Sequence, residues 1–345
     1  MIKRILIVQT AFIGDVILIT PLIRETHKLF PNCPIDVLVA RGNQSILLNN
    51  PHINKILTID KKSNLGYFKC LKELIKNKYS VALTPHRSAR TLTLLLLAGI
   101  KVRIGFNSDI YRRLLNYRCK HPQNVHKAEK NLGLLTPFIS KGYAEFKDYV
   151  PKKGAIKLNW ESELFFSETD LACSKRYLKP GINLAIAPGS IWNTKRWSAK
   201  NYSVLVKLLA DQGFNLIFIG SKAEKDLAAK IMQDAGVIAT NSCGELSILG
   251  SAALISQCQA LICNDSGALH IANAVDTQVF AFFGPTVKKF GYYPYRKHDH
   301  LFEIELECRP CGMHGHRQCP LGHHNCMEMI KPQEVFNKII ECLQR

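Results

Sequence analysis

Short, strongly apolar segments alternate with longer amphipathic ones along almost the whole chain. The first half predicts strands at residues 5–8, 35–39, 55–59, 81–84 and 102–106, separated by helices at 16–30, 65–77 and 89–98. In the first helix Val16, Ile19, Ile23 and Phe30 fall near one face, and Pro31 ends the pattern. Such alternation is typical of a parallel sheet covered by helices on both faces.

The alternation resumes after a loosely patterned, charged stretch at residues 141–157. It predicts strands at 184–187, 216–220, 261–263 and 279–283, and helices at about 161–177 and at 202–212, 223–235, 248–256, 268–274 and 332–343. We therefore predict an α/β fold with two doubly wound, Rossmann-like domains, 1–155 and 156–330, followed by a C-terminal helix at 331–345. Domains of this type bind ligands at the carboxyl ends of their strands, and we expect the two to face each other across a cleft.

The chain is strongly basic, with a formal net charge of +19, and the charge is unevenly distributed. The basic residues of one segment are Arg87, Arg90, Lys101, Arg103, Arg112, Arg113, Arg118, Lys120, Lys127 and Lys130, opposed by Asp109 and Glu129. A solvated basic face is one interpretation, and attraction of an anionic partner is the one that we favour. No RNA-stacking motif, zinc finger or base-reading helix accompanies the charge, so we expect no nucleic acid partner. An anionic lipid surface and an acidic glycolipid are equally compatible with this positive charge.

The sequence offers neither a convincing secretory signal nor a membrane span. Lys3 and Arg4 precede an apolar run, but Gly14 and Asp15 interrupt it and no clear cleavage site follows. No uninterrupted apolar run reaches the ~20 residues that a bilayer requires. The twelve cysteines are mostly scattered, as they are in reduced proteins. We therefore expect a cytoplasmic protein.

Two polar turns that follow buried strands indicate binding of an anion. Residues 264–270, Asn-Asp-Ser-Gly-Ala-Leu-His, follow the apolar run 260–263 and lead into a helix. The backbone N–H groups and the positive dipole end of such a turn favour a phosphate-sized anion. Near the N-terminus, strand 5–8 leads in the same way to Gly14 and Asp15. This predicts an enzyme that acts on a phosphorylated ligand, although neither half contains the G-x-G-x-x-G or Walker loop of a dinucleotide dehydrogenase or P-loop NTPase.

Four side chains near the predicted strand ends can carry chemistry, and each has a structural alternative. Asp15 can act as general base on an acceptor hydroxyl, or it can cap a helix N-terminus. Lys195, after the turn that contains Ser190, can stabilise a leaving diphosphate, or it can be a surface lysine. Glu224 can bind ribose hydroxyls, or it can favour the first turn of a helix. His270 can contact a phosphate or be a structural histidine.

The segment 308–326 combines cysteines with histidines. The spacing is Cys308-x2-Cys311-x7-Cys319-x6-Cys326, and the interleaved histidines are His314, His316, His323 and His324. A structural zinc site, reduced cysteines in a packed loop and a redox disulfide are all compatible with this spacing. We assign no metal to it.

Taken together, the motifs resemble those of the lipopolysaccharide heptosyltransferases, the inverting, ADP-heptose-using enzymes of glycosyltransferase family 9 with the GT-B fold. The motifs are residues 14–21 (Gly-Asp-Val-Ile-Leu-Ile-Thr-Pro), 187–190 (Ala-Pro-Gly-Ser), 195–197 (Lys-Arg-Trp), 220–221 (Gly-Ser), 264–270 and 283–286 (Phe-Gly-Pro-Thr). They occur in the order expected for the family over nearly the whole chain. The cysteine-rich tail at 308–327 is most similar to that of the type II enzymes.

The resemblance implies a role for each candidate residue. Asp15 would be the catalytic base, and Asp265 and Glu224 would help to bind the donor. The donor diphosphate would be held by Ser190, Lys195, Ser266, Gly267 and His270. The amino acids at 191–194 differ from those expected of the family at the positions before Lys195. In the basic segment, Arg87 and Arg90 are our candidates for binding the acceptor.

The implied reaction is a direct displacement that moves L-glycero-D-manno-heptose from ADP-heptose to the heptose/Kdo inner core of lipopolysaccharide. No cofactor or metal is expected, since no Asp-x-Asp motif is present to hold one. The acceptor implies peripheral contact with the cytoplasmic face of the inner membrane. Two other classes stay open: a nucleotide-sugar 2-epimerase of similar fold, which would need no acceptor, and a two-lobed ligand-binding protein, which would bind without turnover.

Overall fold

The structure, a computed structural model, describes residues 2–86, 88–107, 112–120, 122–139 and 158–343. The chain divides into two compact units, Met1–Phe165 (unit 1) and Phe166–Arg345 (unit 2). The predicted boundary between residues 155 and 156 lies outside the described residues, so the exact domain limits stay a prediction.

Unit 1 is built on a parallel sheet with the strand order β3-β2-β1-β4-β5-β6, the order of a Rossmann fold. Its strands are β1 (Ile5–Gln9), β2 (Ile35–Ala40), β3 (Lys55–Ile59), β4 (Val81–Thr84), β5 (Val102–Phe106) and β6 (Tyr117–Cys119). Its helices are α1 (Ile13–Ile17), α2 (Thr20–Leu29), α3 (Asn64–Asn77), α4 (Ala89–Leu97), α5 (Lys127–Leu132) and α6 (Thr136–Ile139). The strand order reverses between β1 and β4, which makes their carboxyl ends the switch point of this sheet.

Unit 2 repeats this topology, with the order β12-β11-β10-β7-β8-β9 and the reversal between β7 and β10. Its strands are β7 (Asn183–Ala187), β8 (Asn215–Phe218), β9 (Thr240–Asn241), β10 (Ala260–Asn264), β11 (Gln278–Phe283) and β12 (His300–Glu303). Its helices are α7 (Glu168–Lys175), α8 (Ala199–Asp211), α9 (Lys225–Ala235), α10 (Ile248–Ile255), α11 (Gly267–Ala274), α12 (Asn325–Glu328) and α13 (Pro332–Leu343). The predicted α/β fold with two doubly wound, Rossmann-like units is confirmed.

The central strands are apolar along their whole length because helices cover both faces of each sheet. All five residues of β1 are buried, as are all five of β7 and of β10. In unit 2 the core includes Trp197, whose ring stacks on Phe282 with centroids 4.3 Å apart. The indole N–H of Trp197 donates to the carbonyl of Ile330 at 3.1 Å, just before α13, which packs against α8. This core fixes the loop between β7 and α8.

The predicted helix at 16–30 is in fact two helices, α1 and α2. Pro21 has no N–H to donate to the carbonyl of Ile17, and the hydroxyl of Thr20 donates to that carbonyl instead at 2.8 Å. The apolar periodicity continues across the break, so the pattern alone did not reveal it.

The predicted helix at about 161–177 is wrong in its first half. Helix α7 begins only after Ser167, whose hydroxyl forms a capping box with Asp170. Before it, residues 158–166 have no helical structure. Buried Arg24 of α2 holds this segment by donating to the carbonyls of Asn159 and Glu161 and to the carboxylate of Glu163.

The sequence did not predict the short strands β6, β9 and β12. Each of them is an outermost strand of its sheet. None of the helices in the parts of the chain that the structure describes is long and apolar enough to cross a membrane.

Candidate active site

The predicted donor-binding residues of unit 2 follow strands that lie side by side around its switch point. Asn264, the buried last residue of β10, joins the two central loops. Its Nδ2 donates to the carbonyls of Pro188 at 2.8 Å and Gly189 at 3.3 Å, and its Oδ1 accepts from the backbone N–H of Trp197 at 2.9 Å. One amide side chain therefore fixes the start and the end of the 188–197 loop at the place where doubly wound sheets bind ligands.

An ion pair that is largely shielded from solvent lies at this point. Lys195 Nζ is 2.5 Å from Asp265 Oδ2, and the two side chains are 13% and 7% exposed. The hydroxyl of Thr286, after β11, donates to the same oxygen at 2.6 Å. Charge-assisted hydrogen bonds of this kind are strong where water is scarce. They hold the lysine ammonium in one position at the strand ends, so the alternative of a surface lysine is wrong.

The start of α11 leaves hydrogen-bonding groups without a side-chain cap. Ser266 is its N-cap residue, but the Ser266 side chain makes no capping hydrogen bond, and Gly267 is the first helical residue. His270, one turn later, is buried, and its Nδ1 has no hydrogen-bond partner among the described residues. Burial lowers the pKa of His270 to about 4, although Asp265 opposes the shift. The imidazole is therefore neutral near pH 7, with one ring nitrogen unpaired.

The carboxylate of Glu224 is held between two glycine turns. Its Oε2 accepts from the backbone N–H of Ser221 at 2.6 Å and from the Ser221 hydroxyl at 2.9 Å. A Cβ at Gly189 would lie 1.5 Å from Glu224 Oε1, and one at Gly220 would lie 2.8 Å from Oε2. The structural alternative, an acid at a helix start, is therefore present as a capping box. The same contacts bring the carboxylate from the β8 loop against the β7 loop.

Ser190 is buried in the turn after β7. Its carbonyl accepts two hydrogen bonds from the guanidinium of Arg196, through Nε at 2.8 Å and Nη2 at 2.6 Å. These hydrogen bonds join the two ends of the 190–196 segment. Ser190 lies directly after Gly189, in the same turn.

The cysteine- and histidine-rich segment packs against the loop that carries Lys195. The backbone N–H of His316 donates to Thr194 Oγ1 at 2.7 Å, and His324 Nε2 lies 2.7 Å from the Thr194 carbonyl. A Cβ at Gly315 would lie 2.6 Å from the Cβ of Trp192 and 3.0 Å from the Cγ of Lys195. The segment therefore supports the position of Lys195.

All twelve cysteines lie in the described ranges and are free thiols. Within those ranges, no group of three or more His, Cys, Asp or Glu side chains is arranged to hold a metal ion. Burial acts to raise the pKa of the Cys319 thiol, but hydrogen bonds from the backbone at 321–324 outweigh it and lower the pKa.

In unit 1, Asp15 is half-buried in the first turn of α1, and the N-cap residue of that helix is Phe12. Asp15 therefore does not occupy the N-cap position, but it lies in the first helical turn, where a carboxylate favours the helix start. The turn before α1 starts at the carboxyl end of β1, one of the two switch-point strands of unit 1.

Side chains from the loops that follow β2, β3 and β4 hold this turn. Thr10 Oγ1 lies 3.0 Å from His86 Nδ1, just beyond β4. Lys61, after β3, donates to the Thr10 carbonyl at 2.8 Å, and Asn43, after β2, donates to the Ala11 carbonyl at 2.8 Å. The chain path from β1 into α1, and with it the position of Asp15, is thus fixed from several loops.

The predicted acceptor residues are only partly described. Arg87 lies outside the described residues. Arg90 is exposed at the second position of α4, which follows switch-point strand β4. The predicted basic face is wrong for Arg103 and Lys130, which are buried. Arg103 donates to the carbonyls of Leu114 at 2.7 Å and of Ile100, so it serves packing.

A model of glycosyltransferase family 9 (heptosyltransferase) matches residues 67–323, well over half of the chain. The chain belongs to this family. Lipooligosaccharide heptosyltransferase 2 of Campylobacter jejuni is 26% identical, over 97% of this chain and 98% of that protein. The solved structure of Escherichia coli ADP-heptose LPS heptosyltransferase II covers 99% of both chains with a TM-score of 0.78 and 22% identity. A family 9 glycosyl transferase from Veillonella parvula gives a TM-score of 0.81 at 18% identity, covering 99% of this chain and 97% of that chain.

Family membership makes this chain a glycosyltransferase and confirms the predicted family, so the ligand-binding protein is the wrong class. The epimerase alternative has only a distant match. A putative UDP-N-acetylglucosamine 2-epimerase from Listeria monocytogenes is 9% identical with a TM-score of 0.55, which shows a shared fold and no more.

Sequence reasoning missed several residues that organise the two switch points of this glycosyltransferase. In unit 2 they are Thr286 and Arg196, and in unit 1 they are Asn43, Lys61 and His86. Thr286 and Arg196 lie within the motifs at 283–286 and 195–197, but nothing in those motifs indicates which groups they bind. The unit 1 residues share one signal, since each follows the carboxyl end of a predicted strand.

Proposed function

We propose that this family 9 glycosyltransferase is an inverting, type II heptosyltransferase. It would move L-glycero-D-manno-heptose from ADP-heptose to the heptose/Kdo inner core of lipopolysaccharide. The observation that carries the donor proposal is the Lys195 ammonium held by Asp265 at the switch point of unit 2, together with the uncapped start of α11 after Asp265 and the unpaired ring nitrogen of buried His270. The names of the relatives, heptosyltransferase 2 and ADP-heptose LPS heptosyltransferase II, support the choice of sugar and nucleotide.

In the proposed donor complex the diphosphate lies at the start of α11. Lys195 compensates the charge that develops on the leaving ADP, and the N–H groups around Gly267 donate to its oxygens. Neutral His270, in the tautomer with the proton on Nδ1, donates that N–H to a phosphate oxygen. Glu224, which lies between the β7 and β8 turns, is proposed to accept from ribose hydroxyls, and Asp265 keeps the lysine in position.

Asp15 is the proposed general base. It takes the proton of the acceptor hydroxyl while the oxygen of that hydroxyl attacks the anomeric carbon from the face opposite ADP. The new glycosidic bond forms as the bond to the diphosphate oxygen breaks, and ADP leaves with that electron pair. No metal is invoked in this scheme, since Lys195 and the backbone N–H groups supply the positive charge. Arg87 and Arg90 are proposed to bind acidic groups of the acceptor, at the cytoplasmic face of the inner membrane.

The test is incubation with ADP-heptose and heptose-deficient lipopolysaccharide acceptors, with product mass and released ADP as readouts. The expected product gains one heptose, and Asp15→Asn lowers kcat by about 10²–10⁴. Asp211→Asn, at an exposed position of α8, is the matched control and keeps normal turnover. Turnover of Asp15→Asn close to that of the control would remove Asp15 from the role of base. Turnover of a UDP-sugar without an acceptor would instead reveal an epimerase.

A further inference from the structure

Helices α3 and α4 cover the same face of the sheet in unit 1. Cys70 and Leu74 of α3 belong to one buried cluster with Leu94 and Leu95 of α4 and with the strand residues beneath them. The two helices also contact each other. Their inner faces pack on the core, and we call the outer faces of these two adjacent helices the α3–α4 face.

The α3–α4 face exposes large apolar side chains that the core does not use. They are Leu65 (58% exposed), Phe68 (52%), Ile75 (50%), Leu96 (44%) and Leu97 (62%). Scattered exposed apolar residues are normal, but several on two adjacent helices mark an interaction surface.

Positive charge surrounds these apolar residues. Lys69, Lys72 and Lys76 are exposed on α3, and Arg90 is exposed on α4. The ammonium of Lys72 lies over the ring of Phe68, 4.6 Å from its centroid. The acidic residue within α3, Glu73, is neutralised by Lys55 at 2.5 Å. The face therefore combines apolar side chains with a net positive charge.

We propose that the α3–α4 face docks on an anionic lipid bilayer. An apolar strip flanked by lysines is the pattern of a surface that lies in the plane of a membrane, with apolar side chains among the acyl chains and ammonium groups at the lipid phosphates. Long lysine side chains suit this place because their stems cover apolar surface while their charges stay at the headgroups. An anionic membrane matches both the apolar side chains and the positive charge of this face.

The topology relates this face to the proposed chemistry. α3 begins just after β3 and α4 just after β4, so both helices start at the edge of the sheet where the turn before α1 lies. A bilayer on the α3–α4 face would hold a lipid-anchored acceptor beside that edge. This step rests on the proposed function, but the docking itself does not, and the two can be tested apart.

The test is sedimentation with vesicles of phosphatidylglycerol and phosphatidylethanolamine, compared with phosphatidylcholine alone, at low salt. The wild type should bind the anionic vesicles and lose binding in high salt. Removing three charges in Lys69→Gln/Lys72→Gln/Lys76→Gln should lower the partition coefficient roughly a hundredfold. The apolar variant Phe68→Ser/Ile75→Ser/Leu97→Ser should lower it at least about tenfold.

Matched controls come from unit 2. Ile238→Ser removes an apolar side chain that is 97% exposed, and Lys200→Gln/Lys207→Gln/Lys230→Gln removes three exposed charges. Both should bind like the wild type. A direct readout is Phe68→Trp, whose emission should be quenched by lipids brominated in the acyl chains, while Ile238→Trp should gain no such quenching.

Absence of wild-type binding to anionic vesicles would overturn the proposal, as would equal binding by the variants and their controls. Loss of a dimer in the apolar variant, with vesicle binding unchanged, would identify the face as a contact between copies of this chain and would also overturn it. A water-soluble acceptor fragment separates the two ideas. The variants should turn it over normally and lose activity only on acceptor embedded in vesicles. If the wild type transfers heptose to neither acceptor yet binds vesicles, the proposed function fails and the docking surface stands.

Discussion

The neutral, buried His270 predicts a stability that falls as the medium is acidified. In the folded protein burial lowers the pKa of this imidazole to about 4, from an ordinary value of 6.5. The unfolded chain therefore binds a proton between pH 6.5 and pH 4 that the folded chain does not. The contribution of His270 to the free energy of unfolding is fully present above pH 6.5 and is lost as the pH falls towards 4.

The magnitude follows from the size of the shift. A pKa lowered from 6.5 to about 4 corresponds to about 3 kcal/mol at roughly 1.4 kcal/mol per unit. Between pH 7.5 and pH 5, only part of that range is crossed, and the expected loss is about 2 kcal/mol. Lys195 adds to the lowering and Asp265 opposes it, so both neighbours must stay in place for the comparison.

The assay is urea unfolding at pH 7.5 and pH 5 for His270 and for His270→Gln, which cannot titrate in this range. In a Trp160→Phe background the remaining tryptophans are Trp192 and Trp197, so their fluorescence reports on unit 2 alone. The two proteins differ in absolute stability, but the quantity of interest is the change of each with pH. The other titrating groups are the same in both proteins, so their effect cancels in this comparison. The protein with His270 should therefore lose about 2 kcal/mol more of its free energy of unfolding than the variant.

Equal pH dependence in the two proteins would refute the reasoning and place the imidazole in contact with water. Addition of ADP gives a second readout. A diphosphate beside the ring favours the protonated form and should raise the pKa of His270, which nuclear magnetic resonance of the labelled imidazole would detect. No change on saturation with ADP would argue against His270 as a diphosphate ligand.

Two further perturbations test the packing behind the sites. Gly189→Ala places a Cβ 1.5 Å from Glu224 Oε1, so it should displace that carboxylate, cost about 1 kcal/mol of capping and weaken ADP binding in calorimetry. Gly133→Ala, which meets nothing closer than 3.6 Å, should do neither. Arg24→Met removes the guanidinium that pairs with Glu163 and with buried Glu25, which keeps only Lys28 among the described residues, and should lower the free energy of unfolding by roughly 3 kcal/mol, with faster proteolysis near residue 163. Lys28→Met removes an exposed ammonium from the same Glu25, which still pairs with Arg24, and should cost less than about 1 kcal/mol, so an equal loss in the two variants would contradict the role given to Arg24.

The central strands and most helices were predictable because burial on both faces makes the pattern of a parallel sheet locally visible. The strands β1, β2, β4, β7, β10 and β11 carry near-continuous apolar runs. The short outer strands β6 and β9 do not, because so few residues contribute to them and half their pattern faces outward. The break at Thr20 and Pro21 was hidden by apolar residues that continue on both sides of it.

The candidate site was predictable to the extent that it depends on strand ends. Parallel strands bring their carboxyl ends to one edge, so polar residues after β7, β10 and β11 had to lie near one another. Their pairing was not predictable, since the bond from Lys195 to Asp265 joins residues 70 positions apart. The contact of Glu224 with Gly189 depends likewise on how the β8 loop folds over its neighbour, which no local pattern encodes.

Asp265 is the least expected member of a site proposed to bind a diphosphate, because a carboxylate repels that ligand. Its Oδ2, however, receives both the ammonium of Lys195 and the hydroxyl of Thr286, so most of its charge is compensated. A lysine side chain gives up roughly 2 kcal/mol of rotamer freedom when it is fixed. Asp265 fixes it before the donor arrives, so that loss does not weaken donor binding. Because the pair as a whole is neutral, most of the attraction for the bound donor comes from the start of α11 and from the backbone around it. Asp265 therefore lowers the net charge of the site, but it holds the ammonium of Lys195 in position. A cation that is already in position stabilises most when charge develops on the leaving group.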